Sequence, residues 1–132
     1  MTINLVRSSS LYTGVPYAYA AVAPRGALIF TAGACPLDEH GDVVGAGDIQ
    51  AQASLAVANL ATALAEAGAT LADVLKTTVF VASADRADLV AAWDVVSAAF
   101  GGHDAPSTLL GVTVLGYPGQ LVEIEAVAVA AG

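Results

Sequence analysis

The residues of this chain best spaced for chemistry are Glu123 and Glu125, in the run Leu-Val-Glu-Ile-Glu-Ala-Val-Ala-Val. Side chains two apart on a strand share a face and lie about 7 Å from each other, so both carboxylates point the same way. Leu121 and Val127 fall on that face too. A carboxylate set against apolar surface has a raised pKa and can serve as a general base or acid. Two acids on a solvated strand face would show the same spacing, and spacing alone leaves both readings open.

Other candidates carry weaker patterns. His40 stands among turn residues and His103 follows a diglycine, so both are expected at the surface. Neither has the spacing of a metal ligand, and we expect no metal and no cofactor. A Ser-His-Asp arrangement cannot be recognised from sequence order. Gly45-Ala46-Gly47 before a helix is an incomplete phosphate loop, lacking the further glycine and the lysine. Cys35, in Gly33-Ala34-Cys35-Pro36, reads as a small buried hydrophobe, and Trp93 as core.

The elements that must position these residues follow from periodicity and turn chemistry. After a short extended start at Ile3 to Val6, Tyr17 to Ala23 and Ala27 to Thr31 read as strands, and Pro24-Arg25-Gly26 between them suggests a hairpin. Asp48 is a good N-cap, and Ile49, Ala53, Ala56, Leu60, Leu64 and Ala67 recur at helical steps up to Gly68. Val74 to Ala82 is rich in β-branched residues and reads as a strand buried on both faces, with Lys76 the exception. Asp85 caps a second helix with Leu89, Ala92, Trp93, Val96 and Phe100 on one face, ending at Gly101-Gly102. Strands at Leu110 to Leu115 and Gln120 to Ala130 follow, separated by Gly116-Tyr117-Pro118-Gly119. The expected architecture is one α+β domain over residues 1–132, of βββαβαββ order, with two helices on one face of a mixed sheet.

Composition narrows the function classes. Hydrophobic residues make up 57% of the 132 and charged residues 12%, with a mean hydropathy of +0.72. No run approaches the roughly 20 apolar residues of a spanning helix, and the first ten residues lack a basic stretch followed by an apolar one. A cytoplasmic protein that hides apolar surface by self-association is therefore expected, with no membrane partner. Four basic residues against twelve acidic ones give a net charge of −8, which argues against nucleic acid as a partner. Cys35 is the only cysteine, so the chain can form no internal disulfide and no cysteine-based zinc cluster.

Pro16-Tyr17, Leu28-Ile29-Phe30-Thr31-Ala32-Gly33, Pro36-Leu37-Asp38, Val74-Leu75-Lys76-Thr77-Thr78-Val79-Phe80 and Leu121-Val122-Glu123-Ile124-Glu125-Ala126 together resemble the RidA family. This family is also called YjgF/YER057c/UK114, and the match runs in order from about Tyr12 to Ala130. The resemblance implies a homotrimer of chorismate-mutase-like fold with small-molecule clefts between subunits. In its well-studied branch it implies hydrolysis of reactive enamines and imines, such as 2-iminobutanoate, to ketoacids and ammonia. By position, Glu123 matches the glutamate that orients water, Tyr17 the pocket tyrosine and Gly33 the pocket glycine. Ala32, Pro106, Ser107 and Thr108 fall at the remaining substrate-binding positions.

One position does not carry over. Where the family reads Pro-Ala-Arg-Ser-Thr, with an arginine gripping the substrate carboxylate, this chain reads Asp104-Ala105-Pro106-Ser107-Thr108, one residue shorter. From Ala87 to Gly132 the sequence holds no lysine or arginine, so a site there is expected to work without a local cation. A carboxylate facing Glu123 with no partner would cost about 3–5 kcal/mol, or at least about two orders of magnitude in binding or rate. The expectation is therefore a hydrolase (deaminase) of altered specificity, acting on a neutral or cationic metabolite. The alternative is a non-catalytic trimeric module that binds a metabolite or protein. RNA cleavage, attached to some members of the family, suits this acidic chain least.

Overall fold

The computed structural model describes residues 2–130. The domain expected over 1–132 also includes Met1, Ala131 and Gly132, which lie outside the described residues. Strands β1 (Asn4–Val6) and β2 (Ala20–Val22) form a small antiparallel pair with Asn4 opposite Val22. The main sheet has the order β3 (Leu28–Phe30), β6 (Val122–Val129), β4 (Val74–Val81), β5 (Ser107–Gly111). The β4–β5 pair is parallel and the others are antiparallel, so the sheet is mixed as expected.

Helices α1 (Ile49–Glu66) and α2 (Arg86–Phe100) begin where their caps place them. The Asp48 carboxylate accepts from the Ala51 N–H at 3.0 Å and that of Asp85 from the Ala87 N–H at 2.9 Å, satisfying donors a helix start leaves unpaired. Just beyond α1, Gly68 takes a φ of +93°, a left-handed conformation that costs glycine little. Ala53, Ala56, Leu60 and Leu64 of α1 and Ala92 and Val96 of α2 meet Val79, Val81, Val122 and Ile124 from the sheet, all essentially buried. The small alanines let α1 approach the sheet closely. Each fully buried Leu, Ile or Val stabilises the fold by about 1.5–3 kcal/mol relative to exposure.

Three expectations are corrected. The hairpin across Pro24-Arg25-Gly26 does not form: β2 pairs with β1, while β3 pairs with β6 in the other sheet. Turn residues mark where the chain changes direction, and here the chain leaves one sheet for another. The expected strand at Leu110 to Leu115 is instead Ser107–Gly111, alongside β4. It ends at Gly111, where a Cβ would stand 2.6 Å from the Ser83 carbonyl oxygen. Finally, β4 is covered on one face only. Val79 and Val81 are buried under the helices, while Thr78 and Phe80 look to the open face.

An irregularity between Val74 and Lys76 shifts the register of β4 against β6. Such a bulge re-aims side chains, and it leaves Lys76 on the open face with Thr78 and Phe80. That face also carries Leu28, Phe30 and Leu110, with Phe30 73% exposed. Among the described residues, no helix is long and apolar enough to cross a membrane.

Candidate functional site

Glu123 and Glu125 do share a face of β6, the one turned away from the helices. Their surroundings differ: Glu123 is half-buried and Glu125 exposed. Two backbone bonds, Ala34 N–H to Ile124 O at 2.7 Å and Ile124 N–H to Ala34 O at 3.1 Å, lay the Gly33–Cys35 segment beside β6. Gly33 therefore lies directly under the Glu123 side chain. A methyl group at residue 33 would overlap Oε2 and stand 2.6 Å from Cδ and 2.8 Å from Cγ of Glu123. Any larger residue would displace the carboxylate from this position.

Two donors hold the other oxygen. Gln120 Nε2 donates to Glu123 Oε1 at 3.1 Å and the Cys35 thiol donates to the same atom at 3.3 Å. Gln120 is 3% exposed, and its remaining groups are committed: Nε2 also donates to Val122 O, and Oε1 accepts from the Tyr117 N–H. Cys35 is thus half-buried against a carboxylate, where a buried hydrophobe was expected. Burial, first, and then the hydrogen bond and charge of Glu123 push its thiol pKa from 9.0 up to about 11, while Gln120 pulls slightly the other way. This cysteine is a poor nucleophile and serves as a hydrogen-bond donor.

Helix α1 braces the arrangement from behind. Gln52, fully buried, donates to Gly45 O and Gly119 O and accepts from the Leu121 N–H at 2.7 Å, tying the approach to β6 into the core. Asn59 donates to Cys35 O and Leu37 O. Ala32, Gly33 and Cys35 line a cleft of about 310 Å³ with Leu37, Asn59 and Tyr117. Gln52, Asn59 and Gln120 were not singled out from sequence; an amide on an otherwise apolar helix face or strand approach was the available signal. Gly45-Ala46-Gly47 is accounted for by structure, since the Gly45 carbonyl receives both Gln52 and the Asp48 N–H.

Tyr17 sits elsewhere. It lines a second cleft, of about 450 Å³, with Pro16, Trp93, Ser107, Thr108 and Leu109. The Ala18 N–H donates to Asp104 O at 2.9 Å, which fixes Tyr17 beside the start of β5. The Tyr19 ring meets that of Tyr17 edge to face at 5.9 Å. Ser107 has its hydroxyl engaged by Thr77 Oγ1 and Ala105 O. Pro106, expected to touch substrate, is buried, and its carbonyl accepts the Thr77 N–H; it belongs to the sheet rather than to the lining. Trp93, read as core, packs on the core with one side and opens into this cleft with the other.

Two cations from earlier in the chain come near this stretch, because charge along the chain is not charge in space. Arg7 reaches Asp104, Nη1 to Oδ2 at 2.9 Å, and Lys76 Nζ donates to Thr108 Oγ1 at 2.6 Å. Neither cation lines the Tyr17 cleft. His40 is exposed as expected, whereas His103 is half-buried, with Nε2 2.7 Å from Val74 O.

Two helices laid over one face of a mixed sheet, with a carboxylate on β6 held above a glycine, define a single α+β domain of a recurrent kind. The chain belongs to the RidA, or YjgF/YER057c/UK114, family: the family model described as Endoribonuclease L-PSP matches residues 8–130. It is 37% identical to a RutC family protein of Pyrococcus abyssi over 83% of this chain and 84% of that one. It is similar to the solved structure of the Rid family protein YyfB from Yersinia pestis, with a TM-score of 0.91, 32% identity, and coverage of 98% and 99% of the two chains. A Mycobacterium tuberculosis member of the YjgF/YER057c/UK114 family is 35% identical, with a TM-score of 0.67 and coverage of 98% and 100%.

Proposed function

We propose that this protein hydrolyses reactive imines or enamines that lack a carboxylate, in clefts formed between copies of the chain. The observation that carries the reading is the Glu123 carboxylate. Oε1 is held by Gln120 and Cys35, which leaves Oε2 over Gly33 to accept a proton from water. Water adds to the C=N carbon, its proton passes to Glu123 and on to nitrogen, and collapse of the carbinolamine gives a carbonyl compound and ammonia. Tyr17 supplies a hydroxyl to hold the substrate nitrogen or oxygen. No cation lines the Tyr17 cleft to grip an acid, so carboxylate-bearing imines are poor substrates.

Glu123 and Tyr17 must come from different copies for this to work. Glu123 faces Phe80 on β4, whose other neighbour is Leu110 on β5, so two strand spacings, about 10 Å, separate β6 from β5. The Tyr17 cleft opens at the β5 edge and the Glu123 cluster toward β3, at the other edge. Docking one edge of a copy against the other edge of the next in a closed ring joins the two halves, and a homotrimer does so while covering exposed Leu28, Phe30 and Leu110. The absence of a carboxylate clamp and the location of the ring in the cytoplasm are parts of the same reading.

The test is hydrolysis of freshly generated imines, followed by semicarbazide trapping of the imine that remains. We expect a carboxylate-free imine to be hydrolysed at least about 100-fold faster than 2-iminobutanoate, and Glu123→Gln to abolish turnover. Undiminished activity in Glu123→Gln contradicts the reading. Thr108→Arg, which places a guanidinium in the cleft lining, should raise activity toward 2-iminobutanoate. With no hydrolysis of any imine, ligand-induced stabilisation of the fold would instead favour a binding module.

A further inference from the structure

We propose that the cleft between the Pro16-Tyr17 segment, β5 and α2 binds a flat, uncharged aromatic group, and that Trp93 sets this preference. The inference deepens the imine-hydrolase reading by naming the substrate class, an aromatic imine and its carbonyl product. The binding preference itself stands whether or not turnover occurs.

Six residues line the cleft: Pro16, Tyr17, Trp93, Ser107, Thr108 and Leu109. Asp, Glu, Lys, Arg and His are all missing from them. Two of the six are aromatic, and two more, Pro16 and Leu109, are apolar. A volume of about 450 Å³ lies in the range of small-molecule sites. Trp93 is the informative residue. It lies on the apolar face of α2 among Leu89, Ala92 and Val96, yet the core covers only part of it. A large ring left half open beside a second aromatic wall is a surface suited to another ring, which it can meet offset-stacked or edge to face.

The wall is also held in place before any ligand arrives. Tyr19 braces Tyr17 edge to face at 5.9 Å with an interplanar angle of 72°, and the Ala18 N–H is bonded to Asp104 O. A fixed wall loses little freedom on binding.

Polarity in the cleft is already spoken for. The Ser107 hydroxyl is shared with Thr77 and Ala105, and Thr108 Oγ1 accepts from Lys76. The nearby charges lie outside the lining: Arg7 is paired with Asp104, and Lys76, engaged by Thr108 Oγ1, lines a separate hollow on the open sheet face together with Glu125. The Tyr17 hydroxyl is left to make one directional contact. An uncharged aromatic amide or imine fits this inventory, whereas a carboxylate would lose hydration with no cation opposite.

Trp93 is the only tryptophan, so its emission reports on the cleft directly. Titrating the full chain with benzamide, benzoate and butanamide varies charge and ring one at a time. We expect benzamide to shift Trp93 emission and to bind at least about tenfold tighter than either of the others. By calorimetry, Trp93→Leu should lose at least about tenfold in benzamide affinity, while Trp93→Phe stays within about threefold of wild type. Melting curves identify which variants are folded. Benzoate binding as tightly as benzamide would overturn the proposal and assign Lys76 as an anion partner. Absence of benzamide binding to the wild type, or equal affinity in folded Trp93→Leu, would overturn it as well. Benzamide binding retained in Glu123→Gln, with no imine hydrolysed by wild type, would keep this inference and remove the hydrolase reading.

Discussion

The Glu123 cluster and the Trp93 cleft lie toward opposite edges of one sheet and are built from opposite materials. Around Glu123 one carboxylate oxygen is held and the other left free: Gln120, Cys35 and, behind them, Gln52 and Asn59 form a set of directed bonds beside a glycine whose missing side chain leaves room for the carboxylate. Around Trp93 the lining is largely apolar, and its hydroxyls at 107 and 108 are occupied elsewhere. The first arrangement fixes the orientation of one reactive group. The second selects shape and polarity. A protein that had lost its chemistry but kept a pocket would have little need for the first.

That contrast can be broken most forcefully at Gly33. Gly33→Ala must push the Glu123 side chain aside, because the new methyl overlaps it, and a displacement of about 1 Å lowers turnover on the order of 100-fold. The backbone at Gly33 is not in the left-handed region, so stability should change little. Equal activity in Gly33→Ala would detach Glu123 from the reaction. Next in size is Gln120→Leu, which removes a buried amide and with it the bonds to Glu123 Oε1, Val122 O and the Tyr117 N–H. We expect a loss of about 1–3 kcal/mol in urea unfolding.

Titration sharpens the same comparison. The Cys35 thiol is raised to about 11 in the folded chain, from 9.0, so the proton is held more tightly when folded. This stabilising contribution is complete below pH 9.0 and is lost as pH rises toward 11, so stability should fall across that window and fall less in Cys35→Ala. Glu123→Gln should bring the thiol pKa down, read from the pH dependence of alkylation, because a carboxylate that disfavours thiolate has gone. The smallest effect is expected beside the cleft. Arg7 and Asp104 are both well exposed, and Arg7→Ala should cost less than about 1 kcal/mol in the same unfolding experiment.

Local rules made some of this legible in the sequence. Both helix starts were readable because an aspartate cap acts within three residues, and the shared face of Glu123 and Glu125 because strand side chains alternate. Partnership across the sheet was not readable. Pro24-Arg25-Gly26 looks like a hairpin turn, but where β3 goes depends on β6, about a hundred residues away. The same holds for charge: Lys76 and Arg7 are remote in sequence from the 104–108 loop, and a bulge in β4 and a long-range ion pair bring them to it. Gln120 and Cys35 became meaningful only once the Gly33–Cys35 segment lay against β6. The buried side chain of Pro106 likewise follows from its place at the start of β5.

The central claim is that one site takes Glu123 from one copy and the Tyr17 wall from another. Mixing two impaired variants, Glu123→Gln and Tyr17→Ala, under conditions that exchange subunits measures it directly. In a closed ring of mixed copies, about one quarter of the junctions pair an intact Glu123 with an intact Tyr17, so imine hydrolysis should recover to about one quarter of wild type. No recovery after demonstrated exchange would contradict the account.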